Sequence, residues 1–317
     1  ALLGCVALSL AFGAREVALA DILNGLFGVD PDTIAAIAVR ERIPRTVLAL
    51  IAGAALGLSG ALLQAVTRNP LADPGILGVN NGAALFVVAG IAFAGIDSLQ
   101  QYIWLALAGA ALASVFVYLV GSTGRGGATP IKLALAGAAT TAALSSLTSA
   151  ILLPRIDVMT VFRFWQVGGT GGASWEGILT VAPFLLVGAA VGLLSARPLN
   201  ALALGDEVAA GLGVHTGRIR LLAGLAGVLL CGATTAVAGP IAFVGLMVPH
   251  AVRLLTGPDQ RWVLPLSAVG GAIILTLSDV LGRVLGRPGE LEAGVVTAFL
   301  GAPVLIAIAR RTRMRAL

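Results

Sequence analysis

The strongest constraint on this chain is the recurrence of apolar runs about as long as a bilayer is thick. Ten can be marked, at 1–12, 46–66, 75–95, 102–121, 133–153, 177–194, 221–238, 240–255, 263–282 and 293–309. Roughly 17–25 apolar residues in a helix cross a hydrocarbon core of about 30 Å. A soluble domain carries about 25% charged residues. Here 58% of the 317 residues are hydrophobic, 11% are charged and the mean hydropathy is +1.00. So few charges cannot cover a soluble surface, so the chain is a polytopic membrane protein. Each run must be a helix, because backbone groups in hydrocarbon have to be satisfied within their own segment. The period-two alternation of a membrane barrel is absent. The fold class is therefore all-α, with about ten transmembrane helices. The first run, ALLGCVALSLAF, has neither a charged start nor a cleavage site, and reads as a truncated span rather than a signal peptide.

Basic residues give the orientation. With both termini cytoplasmic, the inner segments hold 12 Lys and Arg against 4 acids, net +8, while the outer ones hold 8 against 11, net −3. The opposite arrangement would leave the basic tail RRTRMR outside, against the positive-inside bias. The same bias accounts for the pI near 10.2, so no nucleic-acid partner is expected. Three polar stretches are more than turns: 14–45 outside, with an amphipathic VALADILNGLFG and the end RERIPR; 154–176 outside, with a flexible GGTGG; and 195–220 inside. No linker or soluble domain appears, so residues 1–317 are a single transmembrane domain. Pro240 and Pro249 make 240–255 a short, broken span, tolerated where protein or water covers the freed backbone. The spans are rich in Gly and Ala, as in AGAALGLSGALL (52–63) and LALAGAATTAALSS (133–146). Small residues allow close helix packing and can also line an unobstructed path. Cys5 and Cys231 lie far apart in apolar runs and read as small core residues.

Enzyme chemistry finds no support. His215 and His250 stand on different segments, with no metal-ligand spacing. No G-x-S-x-G elbow or Walker A loop occurs, and GRGG (124–127) and GGTGG (168–172) lack the Lys-Ser/Thr pair of a phosphate cradle. No catalytic residue, metal site or cofactor is expected. Movement of a cargo against its gradient would need energy from a partner or an ion gradient. The intramembrane acid an ion-coupled secondary transporter needs could be Asp279, but Arg283 lies one helical turn on and can neutralise it. Arg42 and Arg45 flank Pro44 at an outer mouth, as snorkelling cations or as an anchor for an acidic partner. Inside, Ser195–Arg220 contains a short helix over Ala203–Gly213 with Asp206, Glu207 and small residues. A surface helix of this kind, held between two spans, suits a docking face for something that pushes on it.

Several ordered motifs resemble those of the FecCD-type permease subunits of ABC importers for ferric siderophores, haem or vitamin B12. They are RIPR (42–45), GLSGALLQAVTRNPLADPGILGVNNGA (57–83), LGDEVAAGLGV (204–214), GPIAFVGLMVPHAVR (239–253), DQRWVLPLSAVGGA (259–272), SDVLGR (278–283) and GVVTAFLGAP (294–303). The resemblance implies a type II ABC importer permease in the bacterial cytoplasmic membrane. It implies a second permease copy or paralogue, two cytoplasmic ABC ATPase subunits and an extracytoplasmic substrate-binding protein. Arg42, Arg45 and Arg283 match positions that dock binding-protein acids. Leu204, Gly205, Asp206, Glu207, Ala209 and Gly213 match the loop that couples to the ATPase, with Val208 where Ala is commoner. Gln260 replaces a common His, and Glu292–Ala293 replace a Pro and a β-branched residue, making that outer loop more acidic. Asn69, Pro70 and His250 match motifs read as helix-end and loop structure.

Overall fold

The computed structural model describes residues 1–13, 34–124 and 129–314. The outer segment 14–33, with the amphipathic VALADILNGLFG, most of GRGG and the last three residues lie outside the described residues. All regular structure among the described residues is helical. In chain order the helices are α1 (Leu2–Ala11), α2 (Ile34–Thr67), α3 (Val79–Ala94), α4 (Leu99–Ser122), α5 (Pro130–Leu152), α6 (Ile156–Val167), α7 (Trp175–Leu194), α8 (Ala196–Ala203), α9 (Asp206–Gly211), α10 (Thr216–Ala238), α11 (Val244–Thr256), α12 (Gln260–Leu285) and α13 (Ala293–Met314). Each expected apolar run coincides with one of them. Six helices are long and apolar enough to cross a membrane, namely α2, α4, α5, α7, α10 and α12, and α1, α3, α11 and α13 are shorter apolar helices. The remaining helices, α6, α8 and α9, join them.

The central element is α2. Within its most apolar window 78% is buried, against 22% for α5. It packs on α12, α10 and α11. Small residues permit this. A Cβ at Gly53 or Gly57 would overlap the Gly271 or Ser267 carbonyl of α12, and one at Gly60 would overlap Gly245 of α11. Backbones this close gain dispersion contacts that larger side chains would block. Polar side chains tie the same seam. Gln64 donates to the Gly245 carbonyl at 3.1 Å and accepts from Arg253 at 2.6 Å, and Ser59 donates to the Gly227 carbonyl at 2.5 Å.

Two sequence expectations change. RERIPR is not a loop before a span: α2 starts at Ile34 and carries Arg40–Arg45 and Pro44 within the helix. GGTGG is not loose either. The Gly169 amide donates to Ala238 at 2.7 Å, the Gly294 amide donates to Gly168 at 3.0 Å, and Thr170 is buried. This loop packs on the break between α10 and α11, where Gly239 and Phe243 adopt left-handed φ values of 69°. Pro240 lies in this extended stretch and Pro249 inside α11, so the expectation of a short, broken span holds.

Candidate functional site

The structure places the candidate site residues in two clusters at opposite ends of α2. Arg45 lies on this helix and Arg68 directly follows it, about 35 Å away at 1.5 Å per residue. That distance slightly exceeds the hydrocarbon thickness. Segments assigned to the inner face meet at one end and those assigned to the outer face meet at the other.

At the inner end the expected helix over Ala203–Gly213 is the shorter α9, preceded across Leu204–Gly205 by a further helix, α8. Gly205 has φ 116°, a conformation that strains a side-chain-bearing residue, and Gly213, at φ 79°, makes the turn out of α9. Ala209 faces inward and is fully buried, whereas Leu204 and Leu212 are 65% and 64% exposed. Glu207 and Val208 are exposed beside them. Val208 and Leu212, four positions apart, share one face of α9, and Leu204, just before Gly205, adds a third exposed apolar side chain, with Glu207 next to Val208. Leu212 escaped the sequence reading, and Val208 was read there only as a departure from a commoner Ala.

Asp206 points the other way. Its Oδ1 accepts from Arg68, at the end of α2, and from Arg220 of α10 at 2.9 Å. Helix α8 is tied separately. Asn200 donates to Asp259 at 2.6 Å and accepts from the Gln260 amide at 2.8 Å. Asp259 caps the start of α12. Hydrogen bonds from Arg261, then from Asn200, hold its carboxyl well below the usual carboxylate range. The α8–α9 loop is thus attached to α2, α10 and α12.

The outer end brings together Arg42, Arg45 and Arg283. Asp279 is buried in α12 and pairs with Arg283 at 2.8 Å, as its i,i+4 spacing suggested, and with Arg45 at 2.8 Å. Thr170 donates to the same carboxylate at 2.6 Å. Arg283, only 2% exposed, also reaches Ser9 of α1, donating to its hydroxyl at 2.8 Å and its carbonyl at 3.1 Å. Arg42 donates to the Leu10 and Ala11 carbonyls at 2.8 and 3.1 Å, satisfying groups the end of α1 leaves open. A second partner of Arg45 is Glu290, at 2.6 Å and 37% exposed. Glu292 lies half-buried against Gly169 and Gly171, and burial raises its carboxyl above the ordinary range. Ser9, Thr170 and Glu290 lie 37 to 274 positions from their partners, too far for any local pattern to pair them.

Apolar helices, six of the described ones long enough to cross a membrane, packed around a central span make this a multi-pass membrane protein. The chain belongs to the FecCD transport family, whose model matches residues 1–311. It is 45% identical over 305 residues to the ferric enterobactin transport system permease protein FepD of Escherichia coli (strain K12), covering 96% of this chain and 91% of that protein. It is 37% identical to the hemin transport system permease protein HmuU of Yersinia pestis, covering 86% and 82%. A solved inward-facing structure of a metal-chelate type ABC transporter superposes with a TM-score of 0.83 at 27% identity, covering 98% and 96% of the two chains. The chain is therefore a permease subunit of an ABC importer.

Proposed function

We propose that this permease passes a ferric chelate or haem across the bacterial cytoplasmic membrane, driven by two separate ATPase subunits and supplied by an extracytoplasmic binding protein. The permease names among its relatives refer to ferric enterobactin, ferric citrate and hemin, which favours an iron cargo over a corrinoid. The observation that carries the coupling reading is the exposed face of Leu204, Glu207, Val208 and Leu212, set on a loop anchored to three core helices. In this reading Gly205 and Gly213 supply the turns, Ala209 seats the helix, and the exposed face enters a groove on the ATPase. Asp279, the acid an ion-coupled rival would use, is neutralised by two arginines.

On the outer face the binding protein docks around Arg42, Arg45 and Arg283. Their charges are already engaged within the chain, so a partner carboxylate reaches Arg45 by displacing the half-exposed Glu290. A second permease copy or a paralogue completes the path along α5. There Ser145, Ser146 and Ser149 are exposed among Ala138, Ala139, Ala142 and Ala143. Helix α4 instead exposes Trp104, Leu112, Phe116 and Leu119, a face suited to lipid. Hydroxyls gain nothing from hydrocarbon and do better facing water or another helix.

The test is reconstitution of the complex in liposomes with ferric enterobactin, ferric citrate and haem offered in turn. ATP-dependent import of one of them is expected. Import driven by a proton or sodium gradient without the ATPase would support the secondary transporter. In the same assay Glu207→Arg should leave the protein folded but uncouple ATP hydrolysis from import, and unchanged uptake would argue against α9 as the handle.

A further inference from the structure

The coupling reading says where a partner pushes and leaves open how the push enters the membrane. We infer that Asp206 is a positioning residue which, through Arg68 and Arg220, clamps α9 to the inner ends of α2 and α10, so that movement of α9 is delivered to the central helix. This inference rests on α9 being the ATPase handle.

Three observations carry it. Asp206 is in the first turn of α9, yet its carboxylate is turned back toward the membrane helices and shared by two arginines from different elements. Asp206 and its neighbour Glu207 are both exposed, but it is Asp206 that engages the two arginines. The two acids that look equivalent in sequence therefore do different things, one facing the partner side and one the permease.

Arg68 follows α2 directly and adopts φ 51°, the left-handed region that side-chain-bearing residues rarely occupy. Two backbone bonds close this helix end, from the Arg68 amide to Ala65 at 3.4 Å and from the Asn69 amide to Gln64 at 3.2 Å. The exit direction of the Arg68 side chain is thus fixed by the backbone, and it meets Asp206.

Finally, α2 is the most buried of the six long spans, and it is the one that carries Arg45 at its other end. A displacement entering at Arg68 acts on a helix locked to α12 by backbone contact at Gly53 and Gly57, so α2 cannot yield alone. Rigid, packed elements pass on a shift that a loosely packed one would absorb. The arginines of the clamp are half-exposed, so the clamp contributes little to folding and its loss should appear in coupling.

The experiment uses the full complex in liposomes, importing whichever of ferric enterobactin, ferric citrate and haem wild type takes up. Asp206→Asn and Arg68→Met should each raise the ATP hydrolysed per cargo imported about fivefold or more. The ATPase should still co-purify and the detergent melting temperature should hold, while Asp206→Glu should restore most of the coupling. An unchanged ratio in both variants would overturn the clamp. Loss of the ATPase from the purified complex would also overturn it, by showing Asp206 to be a contact of the docking face. If Glu207→Arg likewise leaves transport intact, the handle itself is misplaced and the clamp falls with it. If Glu207→Arg uncouples while Asp206→Asn does not, only the clamp fails.

Discussion

The two ends of α2 use the same chemistry, arginines around one aspartate, in opposite surroundings. At the outer end Asp279 is buried between Arg45 and Arg283, with Thr170 as a further donor. At the inner end Asp206 is exposed between Arg68 and Arg220. Out of water an ion pair is strong only while complete, because removing one partner leaves a desolvated charge. In water the same pair is weak, screened and easily rearranged. The outer cluster therefore suits a fixed joint holding α1, α2, α12 and the 168–172 loop in register. The inner cluster suits an adjustable link to a moving part.

This contrast is open to direct attack. The largest effect is expected from Asp279→Ala, which strands two arginines in a buried site. The cost should be about 3–5 kcal/mol, seen as a collapse in yield or melting temperature in detergent. A variant as stable as wild type would mean that water reaches this cluster and that the two ends do not differ in kind. Next comes the seam joining them. Gly57→Leu forces a side chain against the Ser267 carbonyl and should destabilise by about 1–3 kcal/mol or more, with import lost even where folded protein is recovered.

The smallest effect belongs to Glu292→Gln. Burial raises the pKa of the Glu292 carboxyl in the folded state, so its ionised form costs stability at neutral pH. That cost is present above the folded pKa and disappears as pH falls toward the unfolded value. The Gln variant should melt slightly higher than wild type at about pH 8, with the difference fading toward about pH 4. A gap that widened on acidification would reverse the assignment.

Much of the molecule was legible in the chain. The apolar runs located the ten apolar helices among the described residues, and basic residues sorted their connections onto two faces, because bilayer thickness and backbone satisfaction leave few alternatives. Asp279 and Arg283 were readable as a pair, since i,i+4 spacing on a helix is a local property. Arg45 was not readable as their partner, and Thr170 and Ser9 gave no signal at all. The reach of RERIPR was also misjudged. Charge and Pro44 mimic a loop there, while tertiary contacts of Arg42 and Arg45 with α1 and α12 keep the helix continuous.

What the sequence determined by itself is an all-α membrane protein with ten apolar segments, and an anomalous polar stretch at Ser195–Arg220. Periodicity and charge are local quantities, and the bilayer converts them into structure almost without ambiguity. Only the tertiary structure divided that stretch into α8 and α9, turned Ala209 inward, paired Asp206 with Arg68 and Arg220, and left Leu204, Glu207, Val208 and Leu212 on the surface. Which side of a six-residue helix faces its protein depends on partners such as Arg68, 138 positions away from Asp206. No spacing rule within the loop could have supplied them.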